Sequence, residues 1–280
     1  MKTVLVTGAT SGIGYETAKE VVKRGDRLIM ISRSKPKTER CIEEWKTLVP
    51  TANIEPFYAD LASMREIQTA CNQIKEKYDI IDVLINNAGI FLAQRENNID
   101  GWEKTFAVNH MSYFAVTHFL LPLLKASRSA RIVNVASRAH WYGHLDLDTV
   151  CQPTSYRGQR VYGTSKLCNI LFTHELARRL QGAVTANSLH PGVVRTNIAN
   201  GQGGPMGWAF RILGRLFLSP QKGAKTTIFL AYDESMDTET GGYYAKCKRS
   251  ASSVQSQDDE LARSLWDYSS RLLSDALEEV

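Results

Sequence analysis

The chain has 280 residues, of which 43% are hydrophobic and 22% are charged. This balance is typical of a globular protein with a large core, and it excludes a disordered chain, a collagen and a coiled coil. The formal net charge is +5, but the 34 Lys and Arg and the 29 Asp and Glu are interspersed along the whole length. The sequence therefore lacks the basic stripe of a nucleic-acid-binding protein, and no nucleic-acid partner is expected.

The cysteines and the apolar runs indicate the cellular context. The five cysteines are an odd number without a C-x-x-C pair, and no N-glycosylation sequon occurs, as in proteins of a reducing compartment. A first strand is predicted from Thr3, which leaves no room for a signal peptide or an amino-terminal anchor. The longest apolar run, Phe114 to Ala126, is interrupted by His118, Pro122 and Lys125 and is shorter than the ~18 residues of a spanning helix. We expect a cytoplasmic protein that can associate with a membrane surface.

Apolar runs that alternate with amphipathic stretches predict the fold class. Expected strands are Thr3 to Val6, Arg27 to Ile31, Ile54 to Tyr58, Val83 to Ile85, Ile132 to Val135 and Thr185 to Leu189. Strand and helix alternate, and the strands are nearly continuous in apolar residues, which favours a parallel sheet covered by helices on both faces. No linker or repeat divides the chain, so residues 1–280 are predicted to form one α/β domain, a doubly wound sheet of the Rossmann type.

Helix signals lie between these runs. Ser63-x-x-Glu66 is a capping box that opens a helix to Lys77, and Ser219-Pro220 places an N-cap before a proline in the first turn. Apolar spacing predicts a further long helix from about Val161 to Leu180.

Two stretches that follow strand ends are expected to wall a pocket, because ligands of open α/β sheets bind beyond the carboxyl ends of strands. One is the turn-rich segment Arg138 to Gln159; the other, residues 200–218, is a candidate substrate lid, with 205–218 a candidate membrane contact. Few charges and several aromatic side chains predict a hydrophobic substrate; the aromatic residues are Phe91, Trp141, Tyr142, Trp208, Phe210 and Phe217. His140 and His144 have the spacing of some metal pairs, but no third ligand accompanies them, so a pocket wall is favoured and no metal site is expected.

A glycine-rich loop follows the first strand and opens a helix that runs to about Arg24. It reads Thr7-Gly8-Ala9-Thr10-Ser11-Gly12-Ile13-Gly14. Gly8 permits the tight turn, Gly12 lets the backbone approach a pyrophosphate, and Gly14 allows the helix to pack on the strand. The helix amino terminus then meets the negative charge. The loop predicts a dinucleotide site.

The end of the second strand predicts which dinucleotide is bound. An acidic residue there would bond the ribose 2′-hydroxyl, but the sequence reads Ile31-Ser32-Arg33-Ser34. Arg33 can pair instead with a 2′-phosphate, which favours NADP(H) as the cofactor. The alternative interpretation is a solvated loop that contains Arg33 and Lys35.

A tyrosine and a lysine four residues apart, Tyr162 and Lys166, would share one face of a helix. The spacing alone is not specific, since Tyr15 and Lys19, and Tyr244 and Lys248, repeat it. Only Tyr162 begins a long helix that follows a strand ending in a hydrogen-bond donor, Ser137. A phenol has a pKa of about 10, and a neighbouring ammonium together with an oxidised nicotinamide would lower it. We expect Tyr162 to exchange the proton of a carbonyl or alcohol and Ser137 to hold the same oxygen.

At these positions the chain resembles the short-chain dehydrogenase/reductase family. The family's glycine loop is matched by Thr7 to Gly14, its adenine-side pair by Asp60 and Leu61, and its fourth-strand motif by Asn86, Asn87, Ala88 and Gly89. Its catalytic tetrad is matched by Asn109, Ser137, Tyr162 and Lys166. The segment that holds the nicotinamide in this family is matched by Pro191, Gly192, Val194 and Thr196. The resemblance implies that Asn109 holds a water linking Lys166 to solvent; the alternative is a buried helix amide that satisfies backbone groups. It also implies a homodimer that pairs through Asp100 to Lys125 and Val161 to Leu180.

Within that family the chain is most similar to the NADP-preferring retinol dehydrogenases of the microsomal type, but without their amino-terminal anchor. The segments that carry this likeness are Leu171 to Leu180, His190 to Thr196 and Leu265 to Asp267. The resemblance implies hydride transfer between NADP(H) and a hydrophobic carbonyl or alcohol, with retinal, retinol or a lipid aldehyde favoured. Alternatives are a reductase of steroid or xenobiotic ketones and a non-catalytic NADP-binding scaffold. A sugar-nucleotide epimerase is disfavoured, because its loop is spaced differently and its carboxy-terminal region is larger.

Overall fold

Eight strands of the described residues, which are 1–193 and 218–278 of this computed structural model, form one sheet. They are β1 (Thr3–Thr7), β2 (Arg27–Ser32), β3 (Ile54–Tyr58), β4 (Val83–Asn86), β5 (Arg131–Val135), β6 (Thr185–His190), β7 (Tyr243–Ala245) and β8 (Lys248–Arg249). Their order is β3-β2-β1-β4-β5-β6-β7-β8, and only the β7–β8 pair is antiparallel. The predicted doubly wound α/β sheet in one domain is confirmed, with each expected strand present within one residue at either end.

The helices are α1 (Gly12–Lys23), α2 (Lys35–Leu48), α3 (Met64–Lys77), α4 (Lys104–Phe106), α5 (Ser112–Lys125), α6 (Gly158–Leu180), α7 (Pro220–Tyr232) and α8 (Asp259–Glu278). A π-helix, Ala107–Met111, joins α4 to α5. The sequence predicted one helix from Asp100 to Lys125. In the structure the helical segment begins at Lys104, and the π-helix interrupts it between α4 and α5. None of the helices among residues 1–193 and 218–278 has the length and apolarity needed to cross a membrane.

The capping box predicted at the start of α3 is only half formed. Ser63 accepts the backbone N–H of Glu66 at 3.3 Å, as an N-cap does. The Glu66 carboxylate, however, accepts the N–H of Asp60 at 2.8 Å instead of returning to Ser63. This contact ties the first turn of α3 to the loop that follows β3.

Alternating side chains of the strands divide the core into two layers, as the period of two along a strand requires. Val4 and Val6 of β1 pack with α1, α2 and α7, whereas Leu5 belongs to the layer under α3, α5, α6 and α8. The chain crosses from β3 over β1 to β4, so the strand order reverses between β1 and β4. In such sheets the crevice beyond this switch point binds ligands.

Helix α8 covers the surface that α5 and α6 would offer to a second copy. Trp266 of α8 lies 5.1 Å from the ring of Phe114 on α5 and 5.8 Å from Phe172 on α6. Arg179 of α6 stacks on Trp266 at 4.5 Å. Helices α5 and α6 are thus partly covered by α8, while His118, Pro122 and Lys125 of α5 remain exposed, and the homodimer stays a prediction.

Candidate active site

A cavity of about 1430 Å³ lies beyond the carboxyl ends of the central strands. All predicted cofactor-binding residues within the described parts of the chain line it: Gly8, Thr10, Ser11, Gly12, Ile13, Gly14, Arg33, Asp60, Leu61, Asn87, Ala88, Gly89, Tyr162, Lys166, Pro191 and Gly192. Of the predicted catalytic residues, Ser137, Tyr162 and Lys166 also line it. Val194, Thr196 and nearly all of the candidate lid lie outside the described residues.

The glycine loop leaves its backbone open toward the cavity. Gly8 and Gly12 have φ values of +68° and +58°, a region that favours glycine. A Cβ on Gly14 would lie 2.3 Å from Asn87 Nδ2, so only glycine lets helix α1 approach this closely. Ser11 caps α1 without a side-chain hydrogen bond, and no acidic residue occupies the first turn. The amino-terminal amides of α1 therefore suit an anionic phosphate, and the loop fits the predicted dinucleotide.

The strand end opposite the loop is held to it by Thr7. The Thr7 hydroxyl accepts the N–H groups of Asn87 at 2.9 Å and Ala88 at 3.1 Å. The Asn87 amide donates to the carbonyls of Thr7 at 3.0 Å and Gly8 at 3.2 Å. These contacts fix the segment after β4 against the glycine loop. Both segments line the same side of the cavity.

The chain has three cations in the run Arg33-Ser34-Lys35-Pro36-Lys37, and two of them line the cavity at the end expected to hold adenine. Arg33 is 71% exposed and its Nη1 lies 3.4 Å from Asp60 Oδ2, while Lys37 also lines the cavity. An exposed ion pair of this kind contributes only about 0–1 kcal/mol, so a phosphate can displace it. Lys35 instead approaches Glu39 at 3.9 Å on the outer face of α2. The structure thus separates Lys35 from the two cations that face the cavity.

Tyr162, Ser137 and Lys166 meet at the other end of the cavity. Tyr162 stands in the first turns of α6, with Phe91 against its ring at 5.9 Å. Lys166, one turn further along the same face, lies with Nζ 5.7 Å from the Tyr162 ring centre and donates to the carbonyl of Val135 at 3.0 Å. Ser137 follows β5 directly and hydrogen-bonds Tyr162.

Burial changes the proton affinity of both ionisable groups. It raises the pKa of Tyr162 to about 12, although the hydrogen bond with Ser137 acts in the opposite direction. It lowers the pKa of Lys166 to about 7. In the chain without a bound nicotinamide, lost hydration is the largest influence on the Tyr162 phenol, and the lowering of its pKa by Lys166 and an oxidised nicotinamide stays a prediction. At neutral pH the phenol keeps its proton and the amine stands near its titration midpoint.

Asn109 does not line the cavity. It is fully buried in the π-helix, accepts the N–H of Ile90 at 2.7 Å, and donates to the Ile90 carbonyl at 2.9 Å and to Ser165 Oγ at 3.0 Å. The Asn109 amide thus satisfies backbone groups of Ile90, as one of the two interpretations expects, and the water link to Lys166 stays a prediction. Asn109 connects the loop after β4 to helix α6.

Some residues of the turn-rich segment after Ser137 line the cavity, and others are buried in the core. Trp141 and Tyr142 line the cavity as predicted and are 52% and 78% exposed. His140 is wrong as a wall residue, because it is fully buried: its Nδ1 lies 2.6 Å from the Ser137 carbonyl and its Nε2 accepts the N–H of Ser253 at 3.1 Å. Trp208, Phe210 and Phe217, the other predicted aromatic wall residues, lie outside the described residues.

Three of the cavity residues that were not singled out from the sequence are basic or carry an imidazole. Arg138 and Lys104 bring positive charge to the wall, and His190 lies at the end of β6 with Nδ1 accepting the Arg138 N–H at 3.2 Å. Adjacency to Ser137 is the signal that could have drawn attention to Arg138. Lys104 has no local signal, since it reaches the cavity only through the placement of α4.

The switch-point cavity, the glycine loop and the cluster of half-buried Tyr162 and Ser137 with buried Lys166 together define an oxidoreductase of the dinucleotide-binding α/β class. The family model for short chain dehydrogenase matches residues 2–204. The chain belongs to this family, whose members use a nicotinamide cofactor.

Similarity to individual proteins extends over nearly the whole chain. Retinol dehydrogenase 14 of Homo sapiens is 39% identical over 291 residues, which cover 96% of this chain and 85% of that protein. An uncharacterised protein from Mycobacterium paratuberculosis has a TM-score of 0.79 at 29% identity, covering 98% and 94% of the two chains. A structure from Beutenbergia cavernae, described as an NAD(P)-dependent gluconate 5-dehydrogenase with bound NADP, has a TM-score of 0.71 at 25% identity, with 87% and 94% coverage.

Proposed function

We propose that this chain transfers hydride between NADP(H) and the carbonyl or alcohol carbon of a hydrophobic substrate, with retinal, retinol or a lipid aldehyde favoured. The observation that carries the proposal is the meeting of Tyr162, Ser137 and Lys166 in the same cavity as the glycine loop. A bound nicotinamide dinucleotide would supply or accept the hydride. The protein itself would bind the carbonyl or alcohol oxygen and transfer one proton to or from it.

Each of the three side chains has a separate role in this proposal. Tyr162 gives its proton to the carbonyl oxygen in reduction and takes the hydroxyl proton in oxidation. Ser137 donates to the same oxygen, where negative charge develops. A protonated Lys166 favours the Tyr162 phenolate. It thereby lowers the pKa of Tyr162 from the value of about 12 that burial produces, and the proton leaves more readily. Asn109 supports the site by holding Ile90 and Ser165.

The choice of NADP(H) rests on charge at the adenine end. Arg33 and Lys37 line the cavity there, and Arg33 has only a displaceable contact with Asp60. A 2′-phosphate would give the guanidinium two charge-assisted hydrogen bonds, whereas a bare ribose hydroxyl would offer neither cation a negative charge. The bound NADP of the Beutenbergia cavernae protein supports the same choice.

The hydrophobic substrate is supported by the cavity wall and by the relatives. Phe91, Trp141 and Tyr142 line the catalytic end, and a relative 39% identical to this chain bears the name retinol dehydrogenase. Trp141, Tyr142 and Val193 are exposed. We propose that this apolar mouth takes its substrate up at a membrane surface, together with the predicted contact segment 205–218, in a cytoplasmic protein.

A matched set of assays tests the proposal. Purified protein is given all-trans-retinal, medium-chain aldehydes and steroid ketones, each with NADPH and NADH in parallel, and cofactor oxidation is followed by absorbance. Turnover of retinal or an aldehyde with NADPH is expected. Turnover of ketones alone would favour the alternative reductase, and cofactor binding without turnover of any of these substrates would favour a scaffold. Preference for NADH would contradict the role given to Arg33.

A further inference from the structure

The turn that carries Arg33 is held by a buried threonine of helix α2. Thr38 is fully buried, and its hydroxyl lies 2.7 Å from the hydroxyl of Ser32, the last residue of β2. The same hydroxyl donates to the carbonyl of Ser34 at 2.9 Å. Ser32 and Ser34 are the two neighbours of Arg33 in the sequence. One side chain thus holds the chain on both sides of that cation.

The direction of these two hydrogen bonds follows from the number of protons available. A hydroxyl has a single proton, and Thr38 gives its proton to the Ser34 carbonyl. Ser32 must therefore donate to the Thr38 oxygen. The Ser34 carbonyl also accepts the backbone N–H of Thr38 at 3.0 Å, and the Ser32 carbonyl accepts the N–H of Ala59 at 3.1 Å. Both flanks of Arg33 are thus tied to the fold by hydrogen bonds.

A second threonine of α2 shows what is particular to Thr38. Thr47 also donates its hydroxyl to the carbonyl four residues earlier, at 3.0 Å, a bond that threonines often make within helices. Thr47 is exposed, and this bond stays within α2. The Thr38 hydroxyl is buried and also contacts the end of β2. Thr38 therefore joins the helix to the strand, whereas the Thr47 bond is local.

An effect of Thr38 on a bound ligand has to pass through the turn. In the described parts of the chain Thr38 does not line the cavity, whereas its neighbours Ser32, Arg33, Ser34 and Lys37 do. The Arg33 side chain is exposed and can leave its ion pair, so the backbone of the turn decides from where the guanidinium reaches a ligand. A cation whose backbone is already fixed loses less conformational freedom on binding.

We propose that Thr38 is a positioning residue for the choice of cofactor: its buried hydroxyl fixes the turn from Ser32 to Ser34 and thereby holds Arg33 in place for a 2′-phosphate. Without this hydroxyl, Ser32 loses its acceptor and the turn loses its side-chain tie to α2. The inference rests on the NADP(H) choice of the proposed function. It adds a residue outside the cavity to the cation that would meet the phosphate.

Ligand binding without turnover provides the test. Adenosine 2′,5′-bisphosphate carries the 2′-phosphate and adenosine 5′-monophosphate lacks it, and titration calorimetry gives Kd for each with protein alone. In Thr38→Val we expect Kd for the bisphosphate to rise about 5-fold, the order of one lost hydrogen bond, and Kd for the monophosphate to stay the same. Thr38→Ser keeps the hydroxyl and should restore the wild-type value. Thr47→Val is the matched control and should change neither Kd.

A double variant shows whether Thr38 acts through Arg33. If it does, Thr38→Val should add nothing once Arg33→Ala has removed the cation, so the two changes are not additive. Additive losses would overturn the positioning role. Equal weakening of both ligands by Thr38→Val would overturn it as well, since it would show a general effect on the fold.

A second variant covers a loss of folding. Thr38→Val leaves the Ser32 hydroxyl buried without its acceptor, so circular dichroism checks that the variant is folded. Ser32→Ala combined with Thr38→Val removes both hydroxyls, which is milder for stability than leaving one unpaired. We expect the same selective loss of bisphosphate affinity in this variant, and its absence would contradict the role of Thr38.

The two ligands separate failure of this inference from failure of the proposed function. If the wild-type protein binds both ligands equally, the choice of NADP(H) is wrong and the role of Thr38 is wrong with it. If the bisphosphate binds more tightly but no carbonyl is reduced, the hydride-transfer function fails while the Thr38 variants still test the turn. An unchanged preference in folded Thr38→Val would overturn the positioning role alone.

Discussion

The adenine end and the catalytic end of the cavity differ in where their residues come from along the chain. The adenine end consists of one contiguous loop, Thr7 to Gly14, and of Arg33 after the next strand, and its charged side chain is exposed. At the catalytic end Ser137 comes from the end of β5 and Tyr162 from α6, while Lys166 is only 2% exposed. One end is made of backbone and solvated charge, the other of half-buried and buried polar side chains from distant segments.

This difference has an energetic meaning. An exposed cation can be removed with little effect on the fold, so a change at Arg33 should alter cofactor affinity alone. A buried polar group is coupled to its partners, so changes near Lys166 should alter both rate and stability. The following predictions test that division, beginning with the largest expected effect.

Tyr162→Phe removes the proton that the catalytic end exchanges with substrate. We expect the turnover rate to fall by roughly 10²–10⁴-fold, the usual contribution of a general acid or base, with NADPH binding retained. Stopped-flow or steady-state NADPH oxidation measures the loss, and thermal shift with NADPH checks binding. Tyr244→Phe is the control, since Tyr244 has the same spacing to a lysine but hydrogen-bonds Glu239 at 3.3 Å. Similar losses in both variants would contradict the assignment of Tyr162.

Arg33→Ala removes the cation proposed to meet the 2′-phosphate. Hydrogen bonds to charged groups contribute about 1.5–3 kcal/mol, so KM for NADPH should rise roughly 10-fold or more while KM for NADH stays the same. Parallel titrations with the two cofactors measure the change. Lys35→Ala is the matched control, because Lys35 approaches Glu39 and not the cavity. Equal effects of the two variants would favour the solvated-loop interpretation.

Acid should weaken the catalytic end through its buried histidines. Burial lowers the pKa of His110 to about 3 and that of His190 to about 4. Each imidazole is neutral in the folded protein but binds a proton in the unfolded chain below about pH 6.5. The contribution of each to the free energy of unfolding is therefore fully present above pH 6.5 and is lost as the pH falls toward 4 for His190 and toward 3 for His110. Each contributes a slope of up to about 1.4 kcal/mol per pH unit. Urea unfolding at pH 7, 6 and 5 measures the free energy, and His110→Asn should flatten the slope, whereas His144→Asn, at an exposed position, should leave it nearly unchanged.

The smallest expected effect concerns the mass of the protein in solution. Because α8 packs on α5 and α6, we expect that mass not to change on dilution. Because Trp266 occupies the face that a second copy would need, we expect one species of about the chain mass, 31.3 kDa, at micromolar concentration. Sedimentation velocity over a tenfold dilution measures it. A stable dimer whose contact maps to α5 and α6 by cross-linking would show that the homodimer predicted from the sequence forms after all.

The sheet could be predicted because its strands are continuous apolar runs between amphipathic stretches. The short strands β7 and β8, which lie beyond β6 in the sheet, were not among the expected strands, since three and two residues carry no periodicity. The π-turn at Ala107–Met111 also has no sequence signal of its own, although it decides where Asn109 and His110 point. His140 was placed on the wall because local sequence does not show which side of a turn is buried.

The sequence by itself determined the class of fold, the glycine loop and the Tyr162, Lys166 and Ser137 set, because these depend on short spacings and on where strands end. Tertiary structure alone decided that Lys35 lies away from the cavity while Lys37 lines it, that burial raises the pKa of Tyr162 in the chain without a bound nicotinamide, and that α8 packs on α5 and α6. Charge, hydration and coverage depend on what surrounds a side chain in space, and segments far apart in the chain supply those surroundings.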